Sequence, residues 1–124
     1  MKNDNLIVDK SMAFAVRIVK LYKYIANEKK EYVLSKQILR SGTSIGANVK
    51  EAVRGQSKAD FSAKMNIALK EASETEYWLE LLYKTEYITN KQFASINSEC
   101  VELIKILTSI VKTARKEEKV CNAK

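Results

Sequence analysis

Ser41-Gly42-Thr43-Ser44-Ile45-Gly46-Ala47-Asn48-Val49-Lys50-Glu51-Ala52 is the stretch whose reading decides the fold. It is small and polar, yet it lies inside a chain that otherwise reads as long amphipathic helix. Two of the three glycines fall in it, four residues apart and so on one helix face. A helix gives up about 1 kcal/mol at each Gly relative to Ala, and close approach of a neighbouring backbone is the usual offset. Gly42 and Gly46 therefore mark tight helix packing. They do not form a phosphate-binding loop, because no Gly-x-Gly-x-x-Gly pattern joins a strand to a helix.

Outward from this stretch the periodicity is helical throughout, with no strand signal. Ile7, Ser11, Phe14, Ile18, Leu21 and Ile25 form one stripe of a helix expected over Ile7 to Asn27. Beside it run Val8, Met12, Ala15, Val19 and Tyr22, which makes the apolar face wider than a coiled-coil seam requires and leaves surface for another subunit. The charged turn Glu28-Lys29-Lys30-Glu31 ends this helix. A second helix is expected over 32–54 with Gly55 as its stop, and a third over 58–88 opened by Ser57 as cap and Asp60 in the positive first turn. The third carries Phe61, Met65, Ala68, Ala72, Thr75, Leu79 and Leu82 inward. Thr89-Asn90-Lys91-Gln92 is a capping box for a fourth helix over 90–116, with Phe93, Ile96, Cys100, Leu103, Leu107, Ile110 and Ala114 as its core stripe. After Arg115 the polar run Lys116-Glu117-Glu118-Lys119 predicts fraying. Short links force sequential helices antiparallel, so 1–124 is expected to be one all-α domain, an up-down-up-down four-helix bundle.

Composition agrees. Proline is absent, and 22 Lys+Arg against 15 Asp+Glu give +7, a charge that favours polyanionic partners. Without histidine the chain lacks the commonest metal ligand and the default general base. Glu71, Glu74 and Glu76 resemble a carboxylate cluster, but a di-iron bundle needs Glu-x-x-His on two helices. No metal, cofactor or catalytic residue is therefore expected. Cys100 and Cys121 do not form a Cys-x-x-Cys pair; Cys100 reads as a small inert core residue and Cys121 as incidental in a polar tail. Two cysteines, no signal-peptide pattern and no membrane-length apolar run point to the cytoplasm and away from a membrane.

The stretch 41–52, together with Ala68-Leu69-Lys70-Glu71-Ala72-Ser73-Glu74-Thr75-Glu76-Tyr77-Trp78-Leu79, resembles the "four-helix bundle protein" family encoded in intervening sequences of bacterial large-subunit ribosomal RNA genes. Ser44, Ile45, Ala47, Asn48, Glu51 and Ala52 match the family pattern Ser-Ile-x-Ala-Asn-Ile-x-Glu-Gly/Ala, with Val49 for Ile and with Gly46 where many relatives have Pro. Glu74 and Leu79 match in the third helix. The resemblance implies a four-helix protomer in a homopentameric ring. A similar fold occurs in the strongly basic accessory protein of diversity-generating retroelements, which associates with a reverse transcriptase and nucleic acid. A protein partner of that kind is thus an implied possibility.

Asn48 and Glu51 share a face and read as a polar cluster fixing helix register, with Ser44 and a Lys or Arg from another helix or subunit. Tyr77, Trp78, Tyr83 and Tyr87 read as aromatics sealing an interface rather than stacking on bases. In an antiparallel bundle, residues 1–10, 50–64 and 112–124 gather at one end. That end holds eleven basic and six acidic residues, a net +5 that leaves +2 elsewhere. Lys50, Arg54, Lys58, Lys112, Arg115, Lys116 and Lys119 are its candidate nucleic-acid contacts, mostly to phosphate, since the sequence shows no aromatics interleaved among them. Cations also complement helix C-termini without any partner. Two readings follow: a non-enzymatic oligomeric scaffold binding RNA or DNA through its basic end, or a structural or protein-interaction module with no nucleic-acid role.

Overall fold

Three of the four helices begin where a side-chain acceptor meets free backbone N–H groups. The computed structural model describes the backbone of residues 2–122 and the side chains of residues 5–117 and 119. It contains α1 (Lys2–Asn27), α2 (Leu34–Val53), α3 (Lys58–Lys84) and α4 (Asn90–Asn122), and no strand among the described residues. Ser57 Oγ accepts from the Asp60 N–H at 3.0 Å and opens α3 as expected. At α4 the capping box is complete: Gln92 N–H donates to Thr89 Oγ1 at 3.1 Å and Thr89 N–H to Gln92 Oε1 at 2.8 Å. The cap of α2 was not legible. Glu31, two residues before the N-cap Val33, takes the N–H groups of Val33, Leu34 and Ser35 on its carboxylate at 2.9–3.1 Å. The Ser35 hydroxyl returns a bond to the Glu31 carbonyl at 2.8 Å. Burial raises the Glu31 pKa, but the three N–H bonds outweigh it and leave the carboxyl below the ordinary glutamate range.

Several helix limits differ from expectation. α1 starts at Lys2 rather than Ile7, and α2 starts at Leu34 rather than Tyr32, because Glu31 occupies the turn. α3 stops at Lys84 rather than Ile88: Glu86 lies in the left-handed region (φ 68°), with Tyr87 N–H on the Leu82 carbonyl and Glu86 N–H on that of Tyr83. Those two bonds form a Schellman turn built without glycine. α4 does not stop at Lys116 but continues to Asn122, consistent with the strong helix propensity of Lys and Glu. Gly55 follows α2 without a positive φ; its constraint is space, since an added Cβ would lie 3.1 Å from the Ala52 carbonyl oxygen.

The helices pack in a closed cycle, α1 on α2, α2 on α3, α3 on α4 and α4 on α1. The predicted stripes form the core: Ile7, Phe14, Ile18, Ile25, Met65, Leu79, Leu82, Leu103 and Leu107 are at most 1% exposed. α2 adds Ile38, Ile45 and Val49. Where α1 meets α2, a Cβ on Gly42 would come within 2.7–3.0 Å of three Ile18 side-chain carbons. One on Gly46 would sit 3.4 Å from the Ser11 carbonyl oxygen. Gly42 is therefore the enforced close approach, and Gly46 makes ordinary contact. Ion pairs join the other faces: Arg40 with Glu71 and Glu74, Lys64 with Glu51, Lys10 with Glu102 and Arg17 with Glu99. In each helix pair, residue numbers rise along one partner as they fall along the other.

Candidate nucleic-acid interface

The end of α2, the turn after it and the late turns of α4 bring the candidate cations to one region. Lys50 lies in the last turn of α2, Arg54 is its C-cap and Lys58 opens α3. Lys112, Arg115, Lys116 and Lys119 follow on α4. All seven are solvent-exposed. An open cleft of about 380 Å³ lies at this end, walled by Ala52 and Val53 of α2, residues 55–58, Phe61 of α3, and Ala114 and Glu117 of α4. Of the seven cations Lys58 lines it, while helical spacing puts Lys112, Arg115, Lys116 and Lys119 on the α4 face away from Ala114 and Glu117. Lys64, counted with this end, is matched by Glu51 at 2.9 Å, and Lys10 is paired with Glu102. Asp9, Asp60 and Glu117 remain as acids on the described surface there. The side chains of Lys2, Asp4, Glu118, Cys121 and Lys124 lie outside the described residues.

Phe61 is the residue that sequence reasoning missed at this end. Its place on the α3 core stripe marks it as inward-facing; it packs against the core but is only partly buried, and it also lines the cleft. The first turn of a helix is where a core stripe runs out against solvent, and that position was the available signal.

The polar motif divides into local and interhelical contacts. Asn48 Nδ2 donates to the Ser44 carbonyl at 2.8 Å and Ser44 Oγ to the Arg40 carbonyl at 2.6 Å, both within α2. Glu51 reaches across to Lys64 of α3, a cation from another helix. The cation that ties α2 to the Glu74 motif is Arg40, which donates to Glu71 at 3.0 Å and also to Glu74. Trp78 Nε1 donates to Glu74 at 3.0 Å. That bond, with Arg40 beside it, outweighs burial and holds the Glu74 carboxyl below its ordinary range. Gly42, Ile45 and Val49 are buried, so the 41–52 stretch carries packing on one side and local hydrogen bonds on the other.

Trp78, Tyr83 and Tyr87 pack against the protein's own core, Tyr83 stacking on Phe93 with ring centroids 4.8 Å apart. Tyr77 alone of these four is more than half exposed, at 58%. Cys100 is buried, its thiol donating to the Ala72 carbonyl at 3.3 Å; burial, with Glu76 nearby, pushes its pKa up to about 12. Such a thiol is not a nucleophile near neutral pH. Among the described residues no group of three or more His, Cys, Asp or Glu is placed to hold a metal ion, and no helix is long and apolar enough to cross a membrane.

Residues 3–109 match the family of 23S rRNA-intervening sequence proteins. The chain belongs to this family. Among solved structures it is similar to a protein of unknown function from the S23 ribosomal protein family of Bacteroides thetaiotaomicron. The identity is 65% and the TM-score 0.87, over 89% of this chain and 98% of that one. No curated protein matches. The family match covers the 41–52 and 68–79 motifs and ends before Lys112, so four of the seven candidate cations lie beyond it.

Proposed function

We propose that this intervening-sequence family member is a non-enzymatic oligomeric scaffold that binds RNA or DNA through the basic end. The observation that carries the reading is the gathering of seven exposed cations at one end of the bundle, three from the end of α2 and the start of α3 and four from the late turns of α4. Phosphate contacts from Lys and Arg supply affinity without reading sequence, so selectivity would come from nucleic-acid shape or from a protein partner such as a reverse transcriptase. The opposed residue numbering across every helix pair supports an antiparallel up-down-up-down protomer. A homopentameric ring is the assembly we propose for it. A ring needs two different complementary surfaces on each protomer, and two apolar surfaces are available: Leu6, Met12 and Val16 of α1, and Ile67 and Tyr77 of α3, each 40–58% exposed. α1 and α3 do not pack on one another, so the two surfaces are separate.

Binding to structured RNA and to duplex DNA across a salt series tests the role. Wild type should bind in low salt and weaken steeply as salt rises, while Arg54→Glu/Arg115→Glu/Lys116→Glu should lose binding. Absence of binding in low salt, or equal binding by the charge-reversed protein, would leave the cations as complements to the α2 and α4 C-termini. Light scattering on the eluting protein tests the ring; a monomer at micromolar concentration refutes it.

A further inference from the structure

We propose that the solvent face of α4 is a docking surface for double-stranded nucleic acid, whose phosphate backbone lies along the helix from Lys105 to Lys119. The inference rests on the nucleic-acid reading above; it names the contact face and the form of the partner, and it adds Lys105, which lies outside the basic end. Lys105, Lys112, Lys116 and Lys119 follow one another at spacings of seven, four and three residues, which sets them on one side of an unbroken helix. That side is the back of the buried stripe Cys100, Leu103, Leu107 and Ala114, and all four lysines are exposed. At about 1.5 Å per residue the row is about 21 Å long, the length of about six base pairs at 3.4 Å each.

Charge and chemistry choose the occupant. None of the four lysines forms an ion pair among the described residues. The described acids of α4 are engaged elsewhere: Glu99 and Glu102 pair with Arg17 and Lys10 of α1, and Glu117 lines the cleft. The antiparallel register, marked by the Cys100 thiol on the Ala72 carbonyl, sets the row beside residues 58–70 of α3, where Lys58, Lys64 and Lys70 outnumber Asp60. Between Lys105 and Lys112 lies the exposed Ser109, whose hydroxyl can donate to a phosphate oxygen. The one aromatic of α4, Phe93, is stacked on Tyr83, so this face gives the bases of a single strand nothing to stack on. The apolar side of α4 is spent in the core, which leaves none to enter a bilayer. A straight row of cations suits a duplex, which stays straight over this length, whereas a flexible strand must first be ordered. The ring surfaces proposed on α1 and α3 leave the face open.

Fluorescence anisotropy with labelled duplex DNA and duplex RNA of about twenty base pairs, and with a single strand of the same length, from about 50 to about 200 mM salt tests this. Both duplexes should bind more tightly than the single strand, and duplex-DNA affinity should fall linearly with salt on logarithmic axes. Each phosphate contact contributes about 0.9 to that slope, so Lys105→Gln/Lys112→Gln should make it shallower by about 1.8, while Lys105→Arg/Lys112→Arg keeps it. Gln matches Lys in helix propensity, so the fold is held constant. Lys23→Gln/Lys36→Gln removes the same charge from α1 and α2 and should leave the slope unchanged; an equal loss there would reduce the effect to net charge and overturn the proposal. If wild type binds no nucleic acid in low salt, the nucleic-acid reading falls and the face with it. If Arg54→Glu/Arg115→Glu/Lys116→Glu loses binding but Lys105→Gln/Lys112→Gln keeps the wild-type slope, the basic end stands and the α4 face falls. A single strand bound as tightly as the duplexes, or phosphatidylserine vesicles bound in place of them, also overturns it.

Discussion

Replacing Gly42 by Ala adds one methyl group at the tightest point between α1 and α2. The new Cβ would stand 2.7 Å from Ile18 Cγ1, 2.8 Å from Cγ2 and 3.0 Å from Cδ1. Ile18 is 0% exposed and β-branched on a helix, so its χ1 is confined and it cannot swing clear. Overpacking of this kind costs about 1–3 kcal/mol, set against about 1 kcal/mol of helix propensity gained on replacing Gly. Gly46→Ala places its Cβ in ordinary contact with Ser11, 3.4 Å from the carbonyl oxygen and 3.5 Å from Oγ, and keeps the propensity gain. The two variants should therefore differ by about 1–3 kcal/mol, with Gly46→Ala the more stable. For 124 residues the unfolding entropy is about 0.26 kcal/mol per kelvin, so melting points should separate by about 4–12 °C at fixed protein concentration. In an Ile18→Ala background all three crowding carbons are gone, and Gly42→Ala should become stabilising. Calorimetry or circular-dichroism melts of wild type, Gly42→Ala, Gly46→Ala, Ile18→Ala and Ile18→Ala/Gly42→Ala decide it. Equal melting points for Gly42→Ala and Gly46→Ala in the wild-type background would refute the packing argument.

Other outcomes are equally specific. Gly46→Leu should cost about 1–3 kcal/mol, since a branched chain exceeds the ordinary gap that a methyl fills against Ser11, and thermal melts with mass measurement will show it. Glu31→Ala should cost about 1 kcal/mol at pH 7 by removing the α2 cap, read as a lower urea midpoint. Because the folded Glu31 pKa is lowered, its contribution is complete above the ordinary glutamate pKa and is lost as pH falls through the folded value. The gap between wild type and Glu31→Ala should accordingly close in acid. Glu86→Gly should raise stability by up to about 1 kcal/mol, because residue 86 holds a φ of 68° that costs any residue with a Cβ; an unchanged melt would show the turn to be unstrained. In a Cys121→Ser background, Cys100 should resist thiol reagents in the folded protein and react only on unfolding, as its buried, raised-pKa thiol requires.

The sequence by itself determined the four helices, their inward stripes and two of their caps, because each depends on residues within a few positions of one another. A 3.6-residue period places Ile7, Phe14 and Ile18 together whatever lies opposite, and Thr89 and Gln92 can cap α4 without any tertiary partner. The α3 stop was not legible, since Glu86 takes a left-handed conformation with neither Gly nor Asn to signal it. Which glycine carries the close approach was decided only by packing: Gly42 and Gly46 share a face, yet one meets a rigid Ile18 and the other a Ser11 that leaves room. The polar motif shows the same division. Ser44 and Asn48 bond within their own helix, a local matter, whereas Glu74 finds Arg40 thirty-four residues away. Lys and Arg could be counted at one end of the chain's folded order, but the cleft at that end, with Lys58, Phe61 and Glu117 in its walls, exists only where three helices converge. Periodicity fixes which side of a helix faces inward; how closely two helices approach, and what their ends enclose, depends on side-chain volumes on both.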